Sequence, residues 1–323
     1  MTKLKDKVQN ALDEARLLIL GAQVLIGLQY RATFESGFEK LPRHAQFLKL
    51  GSLTILLITL VLIIWPGAYH RVVTKGEDSE ELHKFTTRVT ECALVPFGLG
   101  LGIELFVVAE KIAGIAIGIA AGLLTWFVAL TFWYGIEAMV KGRHKKEHEP
   151  MKDEEENDKG TKLRDKIEHV LTETRVVLPG AQALLGFQFV TILTEAFEKL
   201  PESSKYVHLA SLCMIAACII LLMTTPSYHR IVERGEESEH FHRFASRILL
   251  ASMAPLALGV CGDFFVVARK VTESTEFAIG ASLVLLMLFF GLWFGVTFFW
   301  RNRRQHETRW AGQYRERQPA RGH

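Results

Sequence analysis

Pro226-Ser227-Tyr228-His229-Arg230, continued by Ile231-Val232-Glu233-Arg234-Gly235-Glu236-Glu237-Ser238-Glu239-His240-Phe241-His242, is the second of two versions of one stretch. The first runs from Gly67-Ala68-Tyr69-His70-Arg71 through Gly76-Glu77-Asp78-Ser79-Glu80 to His83. The offset (229 − 70 = 159) recurs along the chain. Glu14-x-Arg16 becomes Glu173-x-Arg175, and Gln23 and Gln29 become Gln182 and Gln188. Phe38-Glu39-Lys40-Leu41-Pro42 becomes Phe197-Glu198-Lys199-Leu200-Pro201, and Glu104 becomes Asp263. No insertion separates the versions between Lys3 and about Glu137, so the chain reads as a duplicated unit.

Charge is segregated along the 323 residues. Leu50–Trp65, Ile112–Ile136, Leu209–Pro226 and Phe277–Trp300 hold no formal charge, and apolar runs of this length read as membrane spans. Four spans per unit are expected: about 16–34, 47–66, 85–109 and 112–140, then 176–194, 206–225, 244–268 and 276–300. The expected fold is an all-α integral membrane protein, its eight transmembrane helices forming two parallel four-helix repeats. Residues 1–140 form the first repeat, opened by an amphipathic helix on which Leu4, Val8, Ala11, Leu12 and Ala15 share a face. A charged linker (141–161), the second repeat (162–300) and a basic tail (301–323) follow. No cleaved leader is expected from the charged first residues.

Basic residues cluster on one side of this arrangement. Arg71, Lys75, Lys84 and Arg88, their counterparts Arg230, Arg234, Arg243 and Arg247, and the linker and tail share the side of both termini. That places both termini in the cytoplasm and the protein in the inner membrane. The net charge of +3 says little about partners, but nothing in the sequence looks like a nucleic-acid module, so no nucleic acid is expected; membrane lipids are the expected surroundings. Cys92, Cys213, Cys218 and Cys261 lie in apolar runs without C-x-x-C spacing and read as buried small hydrophobes.

Two carboxylates inside apolar runs are the leading site candidates. A charged group in the bilayer costs roughly 2.5–3.5 kcal/mol on insertion scales, so Glu104 and Asp263 read as carriers of protons or small cations. Pro96 and three glycines precede Glu104, and Pro255, Gly259 and Gly262 precede Asp263. Arg31, at a depth similar to Glu104, reads as its neutralising partner; its counterpart is Val190, which leaves Asp263 without an equivalent arginine. That asymmetry makes Asp263 the stronger candidate. Gln23, Gln29, Gln182 and Gln188 are supporting polar groups, either hydrogen-bonding between helices or lining a polar path.

Glu14, Arg16, Glu173 and Arg175 mark the cytoplasmic entrance of spans one and five. His70-Arg71 and His229-Arg230 sit at helix C-termini, which favour cations, and the histidines double as pH-sensing candidates. Tyr69 and Tyr228 are expected as interfacial anchors. The histidines and acids after them match no zinc spacing, so no metal and no cofactor is expected. Gly114, Gly118 and Gly122 form a stripe suited to close helix packing, including a homo-oligomer contact. In the second unit Glu273, Phe277 and Ala281 replace them.

The succession E-x-R, Q-x-L-x-G-[FL]-Q, F-E-K-L-P and Y-H-R resembles an uncharacterised group of bacterial membrane proteins built from one four-span unit. It is carried here by Glu14, Arg16, Gln23, Gly27, Phe38, Leu41, His70 and Arg71, and again by Glu173, Arg175, Gln182, Gly186, Phe197, Leu200, His229 and Arg230. Some members of that group carry the label sodium:proton antiporter, and the resemblance implies no established chemistry. No nucleophile–base pair stands at a membrane interface, so an enzyme is not expected. Two functions remain: a transporter or exchanger of protons or small cations, and a non-transporting scaffold, lipid-contacting or stress-related protein.

Overall fold

The computed structural model describes residues 4–135, 163–231 and 238–304. Every regular element among them is helical. The expected linker and most of the tail lie outside the described residues.

The helices are α1 (Leu4–Ala32), a single turn α2 (Ser36–Glu39), α3 (Arg43–Val72), α4 (Glu80–Ala113) and α5 (Ile115–Leu130). They are followed by α6 (Leu163–Thr191), a single turn α7 (Glu195–Glu198), α8 (Glu202–Ile231), α9 (Glu239–Thr272) and α10 (Thr275–Phe290). A π-helical turn follows α5 (Thr131–Gly135) and another follows α10 (Gly291–Val296). After the second, helix continues to Arg304. The bounds of α1 to α4 recur at the 159-residue offset in α6 to α9.

Local chemistry explains the boundaries. Val8, Leu12, Ala15, Ile19, Ala22, Ile26 and Tyr30 are buried at spacings of three and four, so the amphipathic segment and span one form one helix with one inward stripe. Ser79 Oγ accepts from the Leu82 amide at 3.1 Å, and Ser238 Oγ from the Phe241 amide at 3.0 Å; these caps open α4 and α9. Lys75 and Gly76 adopt positive φ after α3, and the Gly76 amide donates to the His70 carbonyl at 3.0 Å.

Five helices are long and apolar enough to cross a membrane: Arg43–Val72, Glu80–Ala113, Glu202–Pro226, Glu239–Thr272 and Thr275–Arg304. The protein is therefore membrane-embedded. Helix α5 is apolar but shorter. Helices α1 and α6 have 29 residues each and carry charge through their first halves.

Helices α1 and α6 pack together and join the two halves. A side chain at Gly180 would overlap the Gln23 amide, and a Cβ at Gly27 would fall against the Phe187 ring. The outer helices break the likeness of the halves. Helix α5 lies tightly along α4, because a Cβ at Gly118 would meet Glu110 Cβ at 2.9 Å and one at Gly122 would meet the Gly102 carbonyl at 2.9 Å. Of the three glycines of the expected stripe, Gly118 and Gly122 thus face α4 of the same chain, while Gly114, with φ of 90°, makes the turn into α5. Phe277 and Ala281 cannot nest in that way, and the last helix reaches across to α3. There Trp293 Nε1 donates to the Val61 carbonyl at 2.9 Å, and Trp65 Nε1 to Thr297 Oγ1 at 3.2 Å.

Two sequence expectations need correction. Tyr69 is not an interfacial anchor, because it is buried among Phe85 and Trp300, with ring centroids 4.6 and 5.7 Å away. Cys92 and Cys213 are exposed on helix surfaces, and only Cys218 and Cys261 are buried.

Candidate functional site

Two polar clusters lie at corresponding positions of the halves. In the first, Glu104 on α4 forms an ion pair with Lys49 on α3 and accepts from Gln29 Nε2 at 2.9 Å. Gln29 Nε2 also donates to Ser52 Oγ at 2.8 Å, and Ser52 Oγ donates to the Gly100 carbonyl at 3.1 Å. Gly100 permits this approach, since a Cβ there would meet Leu56 at 3.1 Å. Both charged side chains are partly exposed, at 17% for Lys49 and 20% for Glu104.

The second cluster keeps a carboxylate and a glutamine at the same offset, whereas Ser211, the counterpart of Ser52, donates to the Val207 carbonyl at 2.9 Å. Asp263 on α9 accepts from Gln188 Nε2 at 2.7 Å. His208 on α8 takes the place of Lys49, its Nδ1 3.7 Å from Asp263 Oδ1. Tyr30 reaches in from α1, its hydroxyl 2.6 Å from His208 Nδ1, and the two rings stack at 5.9 Å. The residue corresponding to Tyr30 in the second half is Phe189, which is exposed, so the phenol has no double. Here the side chains of His208 and Asp263 are only 2% and 9% exposed. A fixed cation faces the first carboxylate, and a titratable imidazole hydrogen-bonded to a phenol faces the second. A cavity of about 10 Å3 adjoins Asp263 and Tyr30, the scale of a single water.

A third cluster lies near the end that holds the first described residues. Glu173 on α6 forms an ion pair with Arg71 on α3, and Arg16 on α1 stands 3.8 Å from the same carboxylate. Arg16 also pairs with Asp13 and donates to the His169 carbonyl at 3.2 Å. The rings of His70 and His169 meet edge to face at 5.5 Å, and His169 Nε2 lies 3.6 Å from Asp78. Arg16, Arg71 and Glu173 close one end of a narrow cavity of about 40 Å3 with apolar walls. All three side chains are under one-tenth exposed, and they tie the two halves together.

One family model matches residues 2–137 and again residues 155–297. The chain belongs to DUF6328, a family of unknown function. This fits the uncharacterised family that the motifs resemble and carries no link to sodium:proton exchange. No curated protein and no solved structure matches the chain.

In this DUF6328 chain the sequence-derived candidates separate. Glu104 and Gln29 come together, as do Asp263 and Gln188. Arg31 does not neutralise Glu104: it pairs with Glu35, four residues further along the chain, at 2.5 Å. Lys49 does so instead, because α3 rather than α1 presents a cation to that face of α4. Gln23 is fully buried at Gly180, and neither of its amide atoms has a hydrogen-bond partner among the described residues. Its counterpart Gln182 is exposed. Arg16, Glu173, His70 and Arg71 join the third cluster, whereas Glu14 and Arg175 are exposed. His229 packs on Phe241, with ring centroids 4.6 Å apart. The Arg230 side chain lies outside the described residues.

Sequence reasoning missed Lys49, His208 and Tyr30 as site members. The signal for the first two was present: the offset that relates Glu104 to Asp263 also relates Lys49 to His208, so a basic residue accompanies each carboxylate. Nothing in the repeat pattern pointed to Tyr30.

Proposed function

We propose that this protein is an eight-span inner-membrane protein, both termini cytoplasmic, that carries protons through Asp263. Helices α1 and α6 would supply two of the additional spans and α5, with its π-turn, the third. The observation that carries the reading is the Gln188–Asp263–His208–Tyr30 cluster: the carboxylate accepts from the amide, an imidazole nitrogen stands 3.7 Å from it, and a phenol is hydrogen-bonded to that same nitrogen, all buried beside space for one water. An imidazole nitrogen facing both a carboxylate and a phenol can exchange a proton with either one. The cluster suits a proton better than a small metal cation, because around the carboxylate it presents a ring nitrogen, an amide NH2 and a phenol rather than a shell of oxygens. Glu104, held by Lys49, would be a structural pair. No enzymatic chemistry is proposed.

The second reading is a non-transporting membrane scaffold, and the closed packing around Asp263 favours it. Proteoliposomes with a pH-sensitive dye inside separate the two. Wild type should dissipate an imposed pH gradient, Glu104→Gln should retain flux, and Asp263→Asn should lose it. Equal flux in wild type and Asp263→Asn, at matched protein content, overturns the assignment. Absence of proton, sodium and potassium flux in wild type selects the scaffold.

A further inference from the structure

The lean of α10 toward α3 leaves an apolar groove of about 430 Å3 between α3, α9 and α10, and it opens to the outside of the bundle. Its floor includes Gly51 and Leu50, and its rims include Phe47, Phe277 and Val284, which are 46%, 52% and 63% exposed. At the end of the bundle where α3 begins and α9 turns into α10, a polar basin of about 620 Å3 adjoins it. Four basic side chains line the basin, Arg43, Lys199, Arg269 and Lys270, against two acids, Glu39 and Glu273. Arg43 pairs with Glu273 and Lys270 with Glu39, both at 3.3 Å. Two positive charges are left over, on Lys199 and on Arg269, whose Nη1 donates to Ser203 Oγ at 2.6 Å.

Basin and groove are continuous along two helices. The Arg43 guanidinium sits 5.4 Å from the Phe47 ring centroid, one turn down α3. On α10, Thr275 lines the basin and Phe277 the groove. From Phe47 to Ile58 the groove descends about 16 Å along α3, at 1.5 Å per residue. Charge at a helix-end level above an apolar channel of that depth complements one class of molecule.

We propose that this composite site binds an anionic two-chain glycerophospholipid, its phosphate over Arg269 and Lys199 and one acyl chain in the groove over Gly51. In the first half the glycine-rich α5 closes on α4 instead, with Gly118 and Gly122 against Glu110 and Gly102. The site does not depend on proton transport.

The test uses the detergent-solubilised full chain and native mass spectrometry, titrated separately with phosphatidylglycerol, phosphatidylcholine of matched chains, and glycerol 3-phosphate. Phosphatidylglycerol should be retained in preference to the other two. Lys199→Ala and Arg269→Ala should each weaken its retention roughly fivefold, the scale of one basic residue beside anionic headgroups. Gly51→Phe should abolish retention with an unchanged melting temperature, because a Cβ there meets nothing within 4 Å. Equal retention of the two lipids overturns the proposal, as does wild-type retention in Gly51→Phe. Glycerol 3-phosphate binding as tightly as the lipid also overturns it, by assigning the basin to free phosphate esters. Should Arg269→Ala fail to fold, Lys199→Ala and Gly51→Phe still decide.

Discussion

His208 Nδ1 stands 3.7 Å from Asp263 Oδ1, at the position where the first half places Lys49 beside Glu104. One substitution between corresponding sites therefore separates a permanent ion pair from a pair whose charge state depends on where a proton resides. Lysine at 208 would make the second cluster resemble the first.

The variant His208→Lys should accordingly fold and lose proton flux, because a permanent cation would hold the Asp263 carboxylate as its counter-ion. Flux assays on reconstituted protein check this. Undiminished flux in His208→Lys would remove the imidazole from the path. Tyr30→Phe deletes only the phenol and should slow flux without lowering the melting temperature by more than a few degrees.

Glu104→Gln should destabilise the protein by about 1–2 kcal/mol, since it strips Lys49 of its counter-ion in a partly exposed setting. Lys49→Met in the same chain should restore most of the loss. Thermal unfolding of the two single variants and the double variant in detergent reads the coupling directly. Additive losses would mean the pair contributes nothing.

Glu173→Gln should cost more, about 3 kcal/mol, because it leaves Arg71 and Arg16 facing each other in a buried cluster. The bond joins α3 and α6, so the loss should also appear as faster proteolysis between the halves. A melting temperature within error of wild type would show that the cluster does not hold the halves together.

Gly118→Ile should lower stability by about 1–3 kcal/mol through overpacking against Phe106 and Glu110. Gly280→Ile, whose new Cβ meets nothing within 4 Å, is the matched control and should be near neutral. Light scattering on both variants tests the assembly. With Gly118 committed to α4, its substitution should leave oligomer size unchanged.

For topology, a reporter fused after His323 should be active only in the cytoplasm. Activity only outside the cell would reverse the orientation drawn from the basic loops.

Whatever is periodic along the chain was legible before any coordinates. The 159-residue offset, the apolar runs and a glycine stripe suited to close packing are local patterns, and local patterns dictate helices. The two intramembrane carboxylates and their glutamines were legible for the same reason: a charge within an apolar run stands out without knowledge of its neighbours. Which cation meets which carboxylate was not legible. That choice depends on the rotational phase of each helix and on how the halves lean, and these are settled by packing between residues far apart in sequence. Arg31 and Glu104 share a depth, yet Arg31 faces Glu35 while Lys49 faces Glu104. Gln23 and Gln182 share a motif, yet only Gln23 is buried. Tyr30 enters the second cluster from the first half because α1 packs on α6, and with Phe277 and Ala281 in place of glycine, α10 packs on α9 while the π-turn after it reaches α3, leaving the groove open. A tandem pattern encodes each helix twice, but steric fit between non-identical surfaces decides how the two sets of helices meet.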